Sequence, residues 1–341
     1  MAPTITYCTT HDDLIAATSS LALSSILVVD CEGRTIGMPD GGPSILTLSD
    51  ISASHIFLID VLALTSTVHP SLSALHRLFS DPSITKVFWD GRADVLELIE
   101  AYPGLSIAGV LDLQLVEVAS RLPSYRETDA GRLWNFRRPG GYFNSLQQDI
   151  EANPALFDGI YRLGGLAHVV RTLGLANAAG AKDPTVVAMH QAQGSEIWMR
   201  RPLPKELLDY AAHDAVLIAA VYTRLMQEPW NKEPGKVESY MAQSERYVAM
   251  YPDRKLLAKH QDLDLKRFLP MGFLEDADSD GPRYSCSSCD LLLPLGCFLV
   301  RDAKDGGARN VGGMQRMTFC RLCHAVARAK RRGKRGEWVN L

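Results

Sequence analysis

An α/β protein is predicted here, with a mixed sheet covered by helices on both faces and a small module appended near the C-terminal end. Three observations carry the prediction. Apolar, β-branched runs separated by short Gly/Pro/Asp/Ser clusters fill the first part of the chain. Strand-like and helix-like runs then alternate, and two Cys-x-x-Cys pairs stand close to the end. At 341 residues with 46% apolar content, the chain exceeds one average domain and can bury a sizeable core.

The strand-like runs are Ile26 to Asp30, Ile45 to Leu48 and Ile56 to Ile59. Their short connections, such as Met38-Pro-Asp-Gly-Gly-Pro43, favour an antiparallel meander. Helical periodicity follows at Ser71 to Phe79, then an apolar Lys86-Val-Phe-Trp89, a helix from about Ala93 to Ala101, and an apolar run at Val110 to Val118. That alternation implies a mixed sheet flanked by helices. Residues 121–160 break the rhythm and read as an insertion or long loop near a site. Helix returns at Leu163 to Leu173 and at Pro204 to Met226, where Pro204 and Glu206 are N-terminal signals. A first domain is thus expected over 1–228 and a partly helical linker over 229–282. A cysteine module at 283–325 and a basic tail at 326–341 complete the chain.

The chemistry begins with carboxylates. Asp30 and Glu32 end the first apolar run, and residues two apart on a strand share one face. Like charges side by side on a sheet repel, so a cation that neutralises them makes sense of the pair. Asp94 falls in the first turn of a helix that follows a strand and Asp90-Gly91. Tyr210 and Asp214 are i and i+4 on a late helix and share a face. A phenol and a carboxylate in one cleft can position a water and a metal together.

Asp-x-Glu on a first strand, an Asp after a strand-turn and Tyr-x-x-x-Asp on a late helix together resemble the tyrosine type of the DEDD superfamily of 3′-to-5′ exonucleases. The segment Trp198 to Asp214 resembles the closing segment of ribonuclease D-like enzymes, and Gly165-Leu-Ala-His-Val-Val-Arg-Thr-Leu-Gly174 resembles the helix before it. The resemblance covers about residues 5–228. It implies a ribonuclease H-like fold, a mixed five-stranded sheet with three antiparallel strands first. It also implies that Asp30, Glu32, Asp94 and Asp214 bind two Mg²⁺ or Mn²⁺, that Tyr210 orients the attacking water, and that nucleoside 5′-monophosphates are released. The preference for RNA over DNA as substrate rests on the same resemblance. Trp89 and the length of the 121–160 segment depart from the pattern. The competing expectation is a catalytically silent exonuclease-fold adaptor that binds RNA or protein.

Cys286, Cys289, Cys320 and Cys323 form two Cys-x-x-Cys knuckles able to supply four thiolates to a structural Zn²⁺ in a module with little core of its own. Unlinked thiols are the alternative. The arrangement looks like a treble-clef finger, with Cys297 and His324 as packing or surface residues. Beyond it, Arg328, Lys330, Arg331, Arg332, Lys334 and Arg335 cluster where they could contact nucleic-acid phosphates without sequence preference. A solvated tail or a nuclear-import address is the other reading.

The net charge of −3 conceals a polarity: residues 283–341 carry 12 Lys/Arg and 4 Asp/Glu, a balance of +8, leaving −11 for the first 282. An acidic body and a basic end suggest an anionic partner gripped by the end and by metals in the body. No apolar run reaches membrane-spanning length, and the start lacks a leader pattern. A soluble intracellular protein, nuclear or cytoplasmic, is expected. Seven cysteines, four of them in knuckles, fit reduced thiols and metal better than disulfides.

Overall fold

The run Ile26 to Asp30 lies at the heart of the sheet, with Leu27, Val28 and Val29 all excluded from solvent. The computed structural model describes residues 3–64, 69–125, 146–157, 159–176, 184–269, 272–274, 281–302, 313–330 and 336–341. They divide into two units: Met1–Glu117 with Gly164–Ala258, and Val118–Leu163 with Lys259–Leu341.

The first unit is built on strands β1 (Thr4–Cys8), β2 (Ile26–Arg34), β3 (Gly42–Asp50), β4 (His55–Asp60), β5 (Thr85–Phe88) and β6 (Val110–Asp112). They form one sheet in the order β1-β4-β3-β2-β5-β6. β2, β3 and β4 are the expected antiparallel meander, and β5 and β6 extend it in parallel beyond β2. The sheet has six strands rather than five. The sixth, β1, adds parallel to β4 at the edge, and its sequence Thr-Ile-Thr-Tyr-Cys lacks the continuous apolar run that marks a buried strand.

Helices α1 (His11–Leu21), α2 (Pro70–Ser80) and α3 (Arg92–Ala101) follow their strands. Thr10 and Asp13 close a reciprocal capping box on α1, which satisfies backbone donors at both ends of that pair. Leu14, Leu21, Leu72, Leu75, Leu78 and Leu98 pack with Leu27, Val29, Leu46, Leu48 and Ile59 in one core. The apolar run at Val110 to Val118 splits into β6 and helix α4 (Leu113–Tyr125). The break falls at Asp112, whose Oδ1 accepts the Gln114 N–H at 2.9 Å, the bond by which a short acidic side chain starts a helix.

The stretch expected as a linker instead supplies structure to this unit. The helix Lys236–Val248 buries Tyr240, Gln243, Ser244, Tyr247 and Val248, a stripe at helical spacing that packs on β6 and α3. Its charged neighbours mask that stripe in a composition-based reading.

In the second unit the cysteines share a core with residues from far up the chain. Leu146, Ile150, Phe157, Ile160, Leu265 and Phe268 pack in one cluster with Cys286, Cys289, Cys320 and Cys323. The late part of the expected insertion therefore belongs with the cysteine segment, while residues 126–145 and 158 lie outside the described residues. Strands β7 (Tyr161–Arg162) and β8 (Phe268–Leu269) pair antiparallel, as do β9 (Arg283–Ser285) and β10 (Leu292–Pro294). β11 (Phe298–Asp302), β12 (Met314–Cys320) and β13 (Trp338–Asn340) form a third antiparallel sheet. The expected tail thus ends in a strand rather than trailing off.

Candidate active site and zinc centre

β2 presents Asp30 and Glu32, both half-buried, opposite Thr47 and Ile45 of β3. Alternation along the strand turns them to one face while Cys31 between them is buried. The pairing register shifts between Glu32 and Gly33. A Cβ at Gly33 would lie 2.2 Å from the Gly42 carbonyl oxygen and 2.9 Å from the Pro43 Cα, so this bulge tolerates only glycine. Gly33→Ala should displace the β2–β3 ladder beside Glu32 and lower stability by about 1–3 kcal/mol, measurable by urea denaturation.

Asp214 comes from the 22-residue helix Lys205–Met226, which packs across β2, β3 and β4, and it is 5% exposed. One carboxylate oxygen from each of Asp30, Glu32 and Asp214 lies within 4.8 Å of the others. Three acidic groups separated by up to 184 positions in sequence therefore meet.

Asp94 sits in the first turn of α3, 8% exposed, outside that trio. The buried Cys31 thiol is pushed well up, by burial first and then by the charges of Asp94 and Asp30. The helix that carries Asp94 packs on β3, the neighbour of β2 in the sheet.

The start of α3 is held from behind. Asp112, fully buried, accepts the backbone N–H of Gly91 at 2.8 Å and of Asp90 at 3.2 Å, and its own N–H donates to Ser244 Oγ at 2.9 Å. Asp90 takes a left-handed φ of 59° and pairs with the buried Arg92 at 2.6 Å. The guanidinium in turn stacks 4.7 Å from the Tyr247 ring centroid. Asp90 thus forms the turn and Asp112 is the internal hydrogen-bond acceptor behind it. Burial, reinforced by Asp90, raises the Asp112 carboxyl to about 7 despite its backbone donors. A carboxyl raised on folding makes the native state bind more protons, so it lowers stability as pH rises from about 4 to about 7. Asp112→Asn should flatten that slope in denaturation curves taken at pH 5 and pH 7.5.

Tyr210 is half-buried, its ring 6.3 Å from that of Trp198 and inclined by 55°. Trp198 is fully buried and its carbonyl accepts Ser44 Oγ at 2.5 Å and Arg201 Nη1 at 2.8 Å. Arg201 forks onto Asp60, with Nε to Oδ2 at 2.6 Å and Nη2 to Oδ1 at 2.7 Å, and Tyr7 donates to the same carboxylate. Burial alone would raise Asp60, but the hydrogen bonds from Arg201 and Tyr7 outweigh it and hold the carboxyl below its ordinary value. This clamp fixes the approach to the helix that carries Tyr210 and Asp214. Sequence reading missed it, and the signal was an aspartate closing the apolar run at β4. Asp60→Ala should cost about 3 kcal/mol, the usual loss on breaking a buried pair.

Cys286, Cys289, Cys320 and Cys323 are all buried, with one Sγ each inside the same 4.8 Å limit. Four sulfurs around one Zn²⁺ at about 2.3 Å would stand about 3.8 Å apart, so the donor set fits. Asp290, at φ 61°, turns the first knuckle and donates its N–H to the Cys286 carbonyl at 2.8 Å. Cys320 caps the helix Arg321–Ala329, with the Cys323 N–H on its Sγ at 3.4 Å, and its own N–H donates to Cys286 Sγ at 3.2 Å. Hydrogen bonds from Cys289, Cys320 and Cys323 push the Cys286 thiol far down, and the same contacts push Cys320 and Cys323 up. His260, 2% exposed, donates Nε2–H to the Cys289 carbonyl at 2.7 Å. Cys297 is buried in the same core, a packing position as expected.

Of the basic residues beyond the second knuckle, Arg328 pairs with Asp149 at 2.5 Å and Lys330 pairs with Asp264. Both are therefore committed to carboxylates. Arg331, Arg332, Lys334 and Arg335 lie outside the described residues.

No family model matches the chain. The human exonuclease mut-7 homolog is 29% identical over 220 residues, 61% of this chain and 21% of that protein, so the chain spans only a minor part of this relative's length. Trypanosoma brucei RNase D in complex with RNA U12 matches with a TM-score of 0.54 at 24% identity, over 73% of this chain and 70% of that one. The GMP complex of the same enzyme matches with a TM-score of 0.53 at 21% identity, over 85% and 82%. The chain shares its fold with T. brucei RNase D. A four-cysteine centre accompanies it toward the C-terminal end.

Proposed function

We propose that the chain is a metal-dependent 3′-to-5′ exonuclease that releases nucleoside 5′-monophosphates, with RNA favoured over DNA. The observation that carries this reading is the meeting of Asp30, Glu32 and Asp214 within 4.8 Å. Three like charges so close repel by about 1 kcal/mol or more per pair even in a water-like medium, and an all-oxygen donor set suits a hard divalent cation. Two Mg²⁺ or Mn²⁺ held there, with Asp94 as a further ligand, would supply an activated water and charge stabilisation at the leaving 3′ oxygen. The chain's own part is to fix those carboxylates on a rigid strand and helix. The Tyr210 hydroxyl, one helical turn from Asp214, orients the attacking water by a hydrogen bond. In support, T. brucei RNase D binds an RNA oligomer and a nucleoside monophosphate, the substrate and product classes this reading requires.

The zinc centre is structural in this account, joining the late insertion residues to the C-terminal segment. All seven cysteines are free of disulfides, which fits a reducing intracellular compartment. No helix among the described residues is long and apolar enough to cross a membrane.

The test is incubation of the purified chain with RNA and DNA oligomers labelled at either end, with Mg²⁺ or Mn²⁺ added or omitted. The expected result is immediate release of a 3′ label as mononucleotide and a descending ladder from a 5′ label, only with metal present and faster on RNA. Release of a 5′ label first, or internal cuts, contradicts the reading.

A further inference from the structure

The sheet β11–β12–β13 carries a cation that no carboxylate among the described residues neutralises. Arg301 stacks with its guanidinium carbon 4.1 Å from the Trp338 ring centroid and donates Nε–H to Gln315 Oε1 at 3.1 Å. Gln315 passes a hydrogen bond on to Asn340 Oδ1 at 3.0 Å. Register places Arg301, Gln315 and Asn340 side by side across the three strands, so the four side chains share one face. Arg301, Gln315 and Trp338 are half-buried and Asn340 is exposed.

This face contrasts with the helix that follows the second knuckle, whose Arg328 and Lys330 are paired with Asp149 and Asp264. It also contrasts with Arg316, which lies over Tyr284 and Phe298 on the opposite side of β12. Among the described residues Arg301 spends one of its five donors on a neutral amide, and the aromatic ring fixes its plane in advance. A large ring, a planar cation and two amides, within a segment of net charge +8, complement an unpaired base and its phosphate: the ring–guanidinium layer gives a stacking surface and the free guanidinium donors an anion contact.

We propose that this face binds single-stranded nucleic acid, with a base stacked on the Trp338–Arg301 layer, a phosphate on Arg301, and the Gln315 and Asn340 amides along the nucleotide edge. The proposal rests on the reading that the chain acts on nucleic acid. It moves the grip from the expected basic helix to the sheet beside it.

The test uses the 341-residue chain carrying Asp30→Asn, so that the oligomer is not consumed, with fluorescent 12-mers of uridine or thymidine read by anisotropy. Trp338→Ala should weaken binding about tenfold. Arg301→Gln should weaken it several-fold and reduce the salt slope by about one, whereas Arg171→Gln, which removes the same charge from an exposed helix, should change affinity less than twofold. Arg301→Gln keeps an amide able to bond Gln315, so it carries the test if Trp338→Ala loosens β13. Loss on either 12-mer supports the proposal, and loss confined to uridine places the amides on the 2′-hydroxyl. Unchanged affinity and slope in both face variants overturns it. Trimming by the unaltered chain is scored separately, so the exonuclease reading stands or falls on its own.

Discussion

Asp30→Asn should slow mononucleotide release from an RNA 3′ end by about a thousandfold or more, because one ligand charge is lost at constant volume and several kcal/mol of transition-state stabilisation go with it. Tyr210→Phe should slow it by about ten- to a hundredfold, the range of a single positioned proton-handling group. The same Asp30→Asn change should raise the melting temperature in metal-free buffer, since the Asp30–Glu32–Asp214 trio loses one of its repelling charges. Adding Mg²⁺ should raise the melting temperature of the unaltered chain more than that of the variant. This inversion, more stable without metal and less active with it, is what separates a ligand from a merely structural carboxylate. Equal activity in the two preparations would point to a contaminating nuclease.

Removing zinc should have the second large effect, and it should reach residues distant in sequence from the cysteines. Zinc binding to four thiolates is worth on the order of 10 kcal/mol, and here the sulfurs sit in the same cluster as Leu146, Ile150, Phe157 and Phe268. Cys320→Ser, or chelation, should therefore abolish amide-exchange protection over Gln147–Ala152 and Phe268–Leu269 as well as over Arg321–Ala329. Protection along Ile26–Arg34 should persist, because that strand belongs to the core built from Leu27, Val29, Leu46 and Leu48. Retained protection at Gln147–Ala152 after zinc release would show that the early and late segments do not share a core.

The acidic strand, the helix at Asp94 and the Tyr210–Asp214 pair were legible because each is a local pattern: alternation along β2, a turn before α3, an i, i+4 relation on one helix. The two cysteine knuckles were legible for the same reason. What sequence hid is long-range. β1 carries no apolar run, so its place beside β4 depends on an edge already formed. The stripe Tyr240, Gln243, Ser244 and Tyr247 is half polar, and its burial follows from partners such as Asp112 and Gln114, which take hydrogen bonds with Ser244 and Tyr247. The Arg201–Asp60 clamp joins positions 141 apart. The basic run was legible as composition, but a run of cations says nothing of Asp149 and Asp264, which pair with Arg328 and Lys330.

In the proposed function, four carboxylates from β2, α3 and the Lys205–Met226 helix hold two catalytic cations. Anomalous diffraction from crystals soaked in Mn²⁺ tests it most directly. Two peaks about 4 Å apart are expected, bounded by Asp30, Glu32, Asp94 and Asp214, with neither peak at full height in the Asp30→Asn variant. Manganese absent from that cleft, or bound only at surface carboxylates elsewhere, would contradict it.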